Sequence, residues 1–81
     1  MRVRVQFFSH LRDLASTSEL AVDLPEGARV DDLLQKLYLE KPALASADKT
    51  ILTAAGLEFV ERGYRLKPGE EVSIMPPVQG G

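Results

Sequence analysis

The sequence predicts an α+β domain: a mixed five-stranded sheet with one main helix packed on one face. Three observations carry that expectation. Residues 2–8 alternate apolar and polar side chains with period two. Residues 30–38 carry an apolar stripe at helical spacing. Residues 72–75 alternate again after a Pro-Gly turn. One helix laid on one sheet is the economical way to bury both apolar faces in a chain of 81 residues.

The elements follow in order. Val3, Val5 and Phe7 fall on one face of the opening strand, and Arg2, Arg4, Gln6 and Phe8 on the other. Phe8 is the odd member, an aromatic on the polar side. Ser9 is placed to cap a short helical turn in which Leu11 and Leu14 share one side. Residues 16–18 read as loop. Leu20, Val22 and Leu24 alternate through a second strand that Pro25-Glu26-Gly27 stops. Val30, Leu33, Leu34, Leu37 and Tyr38 then form the helix stripe. Asp31 and Asp32 lie in its first turn, where the macrodipole favours negative charge. Arg29 is a poor N-cap, and Pro42 closes the segment.

Residues 43–49 read as a loop or one irregular turn. Ile51–Ala55 and Leu57–Val60 are the third and fourth strands, joined by Ala55-Gly56-Leu57-Glu58 as a type II′ turn. Lys67-Pro68-Gly69-Glu70 has the signature of a type II turn. In the fifth strand Val72 and Ile74 face the core, and Ser73 and Met75 face away. The first and last strands are the most apolar and belong in the centre of the sheet. Pro76-Pro77 ends pairing, which divides the chain into a domain over 1–75 and an extended, flexible C-terminal tail over 76–81.

Composition narrows the function. Ten Lys and Arg against twelve Asp and Glu leave a formal charge of −2, and the basic residues are scattered from Arg2 to Lys67. A nucleic-acid surface needs them clustered. Apolar runs of a few residues are far short of the ~20 that span a bilayer. The N-terminus alternates instead of forming the continuous apolar stretch of a signal peptide. A soluble, cytoplasmic protein is expected, binding neither nucleic acid nor membrane. There is no Cys and a single His, His10, so no side-chain thiol can carry sulfur and no metal set is in view. His10 itself reads as a surface or packing residue.

Two of the six glycines are the last two residues, Gly80 and Gly81. Taken alone they fit a frayed terminus. They also fit a thin arm: glycines without side chains can thread a narrow channel and bring a carboxylate to another protein's active site. A carboxylate is a poor electrophile, so such chemistry requires activation, for example adenylation with ATP on a partner enzyme. On the sheet, Phe8 and Met75 both fall on the outer face and meet there if their strands are neighbours. Phe59 can join them. Exposed aromatic and Met side chains in one cluster are typical of an interface.

Four stretches resemble a known family, the small subunit of molybdopterin synthase, a ubiquitin-like sulfur carrier. Residues Val5 to Leu14 are similar to its "FF/FA-x-x-R-E-L" start. Residues Val22 to Leu34 are similar to "LPEGATVxDLL", Leu66 to Val72 to "LxxGDEV", and Pro76 to Gly81 to "PPVxGG". Together they span nearly the whole chain in order. Two positions differ: the family's Ala-Val-Asn-Gly hairpin is Ala54-Ala55-Gly56-Leu57 here, and Arg29 stands where a capping Thr is common.

The resemblance implies a β-grasp, ubiquitin-like fold. It implies that Gly81 is adenylated by a ubiquitin-activating-like adenylyltransferase that uses ATP, and is then converted to a thiocarboxylate. The tail, with Pro77, Val78, Gln79 and Gly80, would enter the large synthase subunit. There sulfur passes to precursor Z, cyclic pyranopterin monophosphate, as molybdopterin forms. Catalytic side chains would belong to the large subunit, and this chain would bind no cofactor. Two small and two large subunits would form a heterotetramer. Family partner contacts map onto Phe8, Phe59 and Met75, and also onto Arg12. Two other readings stand beside it. One keeps the fold and changes the acceptor, as a carrier for thiamine, cysteine or tRNA thiolation or as a protein modifier. The other is a β-grasp binding module with a dispensable tail.

Overall fold

The period-two opening becomes a strand because its apolar residues have a core to enter. In the computed structural model, which describes residues 1–77, β1 covers Arg2–Phe7, with Val3, Val5 and Phe7 buried. β2 (Glu19–Asp23) pairs antiparallel to it in a register that sets Leu20 beside Val5 and Val22 beside Val3, so both apolar sets share one face. The main helix, α2 (Val30–Glu40), buries Val30, Leu33, Leu34 and Leu37. Each such side chain contributes about 1.5–3 kcal/mol of transfer free energy. β3 (Leu52–Ala55), β4 (Glu58–Val60) and β5 (Glu71–Met75) complete the sheet.

The strand order is β2-β1-β5-β3-β4. β5 enters the middle, parallel to β1 and antiparallel to β3. The two strands read as most apolar are thus interior, as expected. A hairpin, a helix crossing one face, and a last strand inserted beside the first make up the β-grasp arrangement. The core joins the inner face of β1, β2 and β5 to α2, with Leu11, Leu24, Leu44 and Leu66 closing its margins. No helix among the described residues is long and apolar enough to cross a membrane.

Several local expectations change. The opening strand ends at Phe7, one residue early. The short helix α1 is Leu11–Ala15, and its N-cap residue is His10, with no side-chain cap bond. Ser9 does not cap it: Ser9 has φ +56° and turns the chain out of β1. Ser16 ends α1 in the same left-handed region, at φ +59°. In both turns the backbone supplies the bonds, from Leu11 N–H to Phe8 C=O (3.1 Å) and from Ser16 N–H to Asp13 C=O (3.2 Å). β3 starts at Leu52 and β4 at Glu58. The stretch after α2 is more regular than a loop, forming a 3-10 helix over Pro42–Ala47 that buries Leu44.

Arg29 has no side-chain acceptor and offers α2 no cap of its own. Its backbone N–H instead donates to Asp32 Oδ2 at 2.8 Å. Asp32 therefore does more than answer the macrodipole; it receives a specific bond at the helix start. Both turns take their expected form. Gly56 has φ +61° while Leu57 stays negative, the type II′ pattern. Gly69 has φ +77°, with Glu70 N–H bonded to Lys67 C=O at 3.1 Å.

Candidate functional site

The outer sheet face divides into a charged half and an apolar half. Rows of directly opposed residues cross the strands, and every member of a row points the same way. One row runs Gln6, Ser73, Ala54, Phe59. The next toward the end of β5 places Met75 opposite Leu52. Phe8 extends β1 beside Met75, since Phe7 is opposite Ile74 and the Phe8 N–H donates to Ile74 C=O at 3.0 Å. Phe8 is 43% exposed and Phe59 66%. Phe8, Met75, Leu52 and Phe59 thus form one apolar surface. Phe8 and Phe59 are not core residues.

The opposite half is a ladder of ion pairs. Arg2 Nε lies 3.0 Å from Asp23 Oδ1. Arg4 Nε donates to Glu19 Oε1 at 2.9 Å, and Arg4 Nη1 lies 3.7 Å from Glu71 Oε1. The hydrogen bond from Arg2, and then its charge, holds the Asp23 carboxyl below the ordinary carboxylate value. All five side chains are open to solvent, which screens their attraction.

Arg12 lies on α1, exposed, beside the apolar surface. It lines a cleft with Gln6, Phe7, Phe8, Ser18 and Glu19, and its Nε donates weakly to Ser9 C=O at 3.4 Å. The neck, Pro76-Pro77, leaves β5 at the centre of the sheet. It runs along a second cleft, of about 460 Å³, walled by Ser9, His10 and Thr50. Val78, Gln79, Gly80 and Gly81 lie outside the described residues. Phe8, Met75 and Pro77 therefore come together around the exit of the chain, with Arg12 at one margin and Phe59 two strands away.

Two features escape a reading of the sequence. Leu52 completes the apolar surface; counting alternation back from Thr53, which is buried, points it outward. The other is a polar node behind the sheet. The Tyr38 hydroxyl donates to Asp48 Oδ1 at 2.5 Å, and Arg62 Nη1 donates to the same oxygen at 2.8 Å while Nη2 reaches the Asp48 carbonyl. Arg62 Nη1 is also 3.9 Å from Asp31 Oδ1. These bonds hold the Asp48 carboxyl below its ordinary value, the one from Tyr38 first. Burial, then the bond to Asp48, pushes the Tyr38 hydroxyl well above its own. The three residues lie on three separate segments, so no local pattern links them.

The arrangement is an exposed apolar face with Pro76-Pro77 leaving the sheet beside it. Comparison with known proteins places the chain in a family. Residues 5–81 match the ThiS family. The chain is 37% identical to the molybdopterin synthase sulfur carrier subunit of Chlamydomonas reinhardtii, over all of both chains. It is 35% identical to the subunit of that name from Escherichia coli (strain K12), covering 98% of this chain and 99% of the relative. The crystal structure of H. volcanii small archaeal modifier protein 1 superposes with a TM-score of 0.86 at 27% identity, covering 95% of this chain and 98% of that one. Sequence match and strand order converge: the chain belongs to the ThiS family, among the molybdopterin synthase sulfur carrier subunits.

Proposed function

We propose that this chain carries sulfur on its own terminal carboxylate as the small subunit of a molybdopterin synthase. A ubiquitin-activating-like adenylyltransferase joins the Gly81 carboxylate to the AMP of ATP and releases pyrophosphate. A sulfide equivalent then displaces AMP and leaves a thiocarboxylate. In the large subunit that sulfur passes to precursor Z, and water supplies the oxygen that returns Gly81 to a carboxylate. The domain over 1–75 is the handle and residues 76–81 are the arm. Pro77, Val78, Gln79 and Gly80 thread the partner's active site, where glycines admit the closest backbone approach. Phe8, Arg12, Phe59 and Met75 bind the partner. Catalytic side chains lie on the large subunit, ATP belongs to the activating enzyme, and this chain needs no cofactor. Two copies with two large subunits make a heterotetramer. A cytoplasmic location goes with this reading.

One observation carries the proposal. The neck leaves from the central strand, next to Phe8 and Met75, so a protein that covers the apolar surface meets the arm at the same time. The test is intact mass after incubation with the activating enzyme, ATP and a sulfide source. Replacement of one oxygen by sulfur adds about 16 Da at Gly81. An unchanged mass, under conditions that convert a known carrier, overturns the reading. Deleting Gly80-Gly81 is the second arm: full function after deletion supports a plain binding module. The likeness to a small archaeal modifier protein favours one further reading, in which Gly81 ends in an isopeptide bond to other proteins. Isopeptide-linked adducts in a lysate are its signature.

A further inference from the structure

β4 is an edge strand with binding geometry of its own. The two-residue loop Gly56-Leu57 makes Ala55 and Glu58 the hydrogen-bonded end pair of the β3–β4 hairpin. Pairs alternate along an antiparallel ladder, so Ala54 and Phe59 form a non-hydrogen-bonded pair. The N–H and C=O of Phe59 therefore point away from β3, to the open side of the sheet. Among the described residues no group outside the hairpin bonds to them.

Beside this edge lies a groove of about 500 Å³, lined by Ile51, Leu52, Thr53, Phe59 and Val60 together with Glu61 and Arg62. Leu52 and Phe59 also belong to the outer apolar surface, so groove and surface are continuous. The charge is one-sided. Glu58 and Glu61 are exposed, and neither has an ion-pair partner among the described residues. Arg62 is held by Asp48 and does not neutralise them.

We propose that β4 takes up a β-strand of the large subunit as a sixth strand of the sheet. The inference rests on the carrier reading above. Phe59 supplies the main-chain donor and acceptor, as in other cases of strand addition. The groove receives one apolar side chain of the incoming strand. Lys or Arg residues flanking that side chain meet Glu58 and Glu61. A second copy of this chain is a poorer occupant. Two β4 edges would bring the same unpaired carboxylates into one seam.

Amide hydrogen exchange on the whole chain tests the proposal, free and mixed with the large subunit encoded in the same genome. The Phe59 amide exchanges at least about ten-fold more slowly in the complex. Replacing both Glu58→Lys and Glu61→Lys weakens the complex about ten-fold at low salt, less so as salt rises, and leaves the free domain's Tm in place. A complex that buries Phe8 and Met75 while the Phe59 amide keeps its free rate overturns this inference and leaves the carrier reading standing. So does an unchanged affinity on charge reversal, or self-association through β4. No complex at all overturns both.

Discussion

The Phe8 N–H donates to the Ile74 carbonyl at 3.0 Å, and this bond carries the pairing of β1 and β5 one residue past the end of β1. The residue after Ile74 is Met75, so the bond brings Phe8 and Met75 side by side on the outer face. Phe8→Ala or Met75→Asp should weaken the complex with the large subunit by about 1–2 kcal/mol or more, as truncating an interface anchor does. Titration calorimetry reads the loss, and the Tm of the free domain should change little. An insoluble or unfolded Phe8→Ala protein would show that Phe8 supports the fold.

Tyr38→Phe removes the 2.5 Å hydrogen bond to Asp48 and leaves the ring packed against the core. The expected cost is about 1 kcal/mol. In a domain of this size that lowers Tm by about 4–8 °C. Thermal denaturation at neutral pH checks the value. An unchanged Tm would mean that water replaces the bond at no cost.

Both tyrosines resist ionisation in the folded chain. Burial raises Tyr38 above 10.0, and a 2.7 Å hydrogen bond to Glu70 Oε2 raises Tyr64 above the same value. A raised folded pKa stabilises the fold below the unfolded value, and that contribution disappears as pH climbs through the folded one. Tyrosinate absorption should therefore stay low past pH 10 and then rise together with loss of the far-ultraviolet signal. A free titration near pH 10 in a folded sample would contradict both bonds.

In acid the sign reverses. Asp48 is held below 3.8 by Tyr38 first and Arg62 second, and Asp23 by Arg2. A lowered folded pKa gives stability that is present above the unfolded value and is lost as pH falls through the folded one. Asp48→Asn should lower stability at neutral pH and flatten its decline below about pH 4. Urea midpoints measured from pH 6 downward read both effects. A parallel decline in the two proteins would show that Asp48 is not the group responsible.

Leu33→Ala removes a fully buried side chain from the helix face over the sheet. Such truncations cost about 2–5 kcal/mol. Small single-core domains hold only about 3–5 kcal/mol in reserve. The variant should be largely unfolded at 37 °C by circular dichroism. A second variant, Leu39→Ala, alters an 83% exposed leucine on the same helix and should leave Tm nearly unchanged.

The fold was legible wherever one apolar face has to be hidden. Val3, Val5 and Phe7, the stripe from Val30 to Leu37, and Val72 with Ile74 all went where their period sends them, because burial decides those positions. Glycine turns were legible for a related reason: the positive φ at Gly56 and Gly69 is what those sequences are suited to. Ser9 was misread because its sequence suits a cap, while the chain needed a left-handed corner there and the backbone satisfied the first turn by itself. The node of Tyr38, Asp48 and Arg62 leaves no periodic trace. Phe8 was readable as an aromatic on the wrong side of a strand, and Leu52 only once the register of β3 against β5 was known.

The parallel pairing of Arg4 with Glu71 joins positions at nearly opposite ends of the described chain. Until β5 is available, β1 lacks a neighbour on one side and β3 lacks one on the same seam, so the hairpins on either side have no sheet to share. Such long-range pairing makes folding slow for the chain's size. It also ties folding to synthesis: the sheet closes only after the strand that bears the neck has left the ribosome. A chain cut short before β5 loses the means of presenting a tail together with the tail itself.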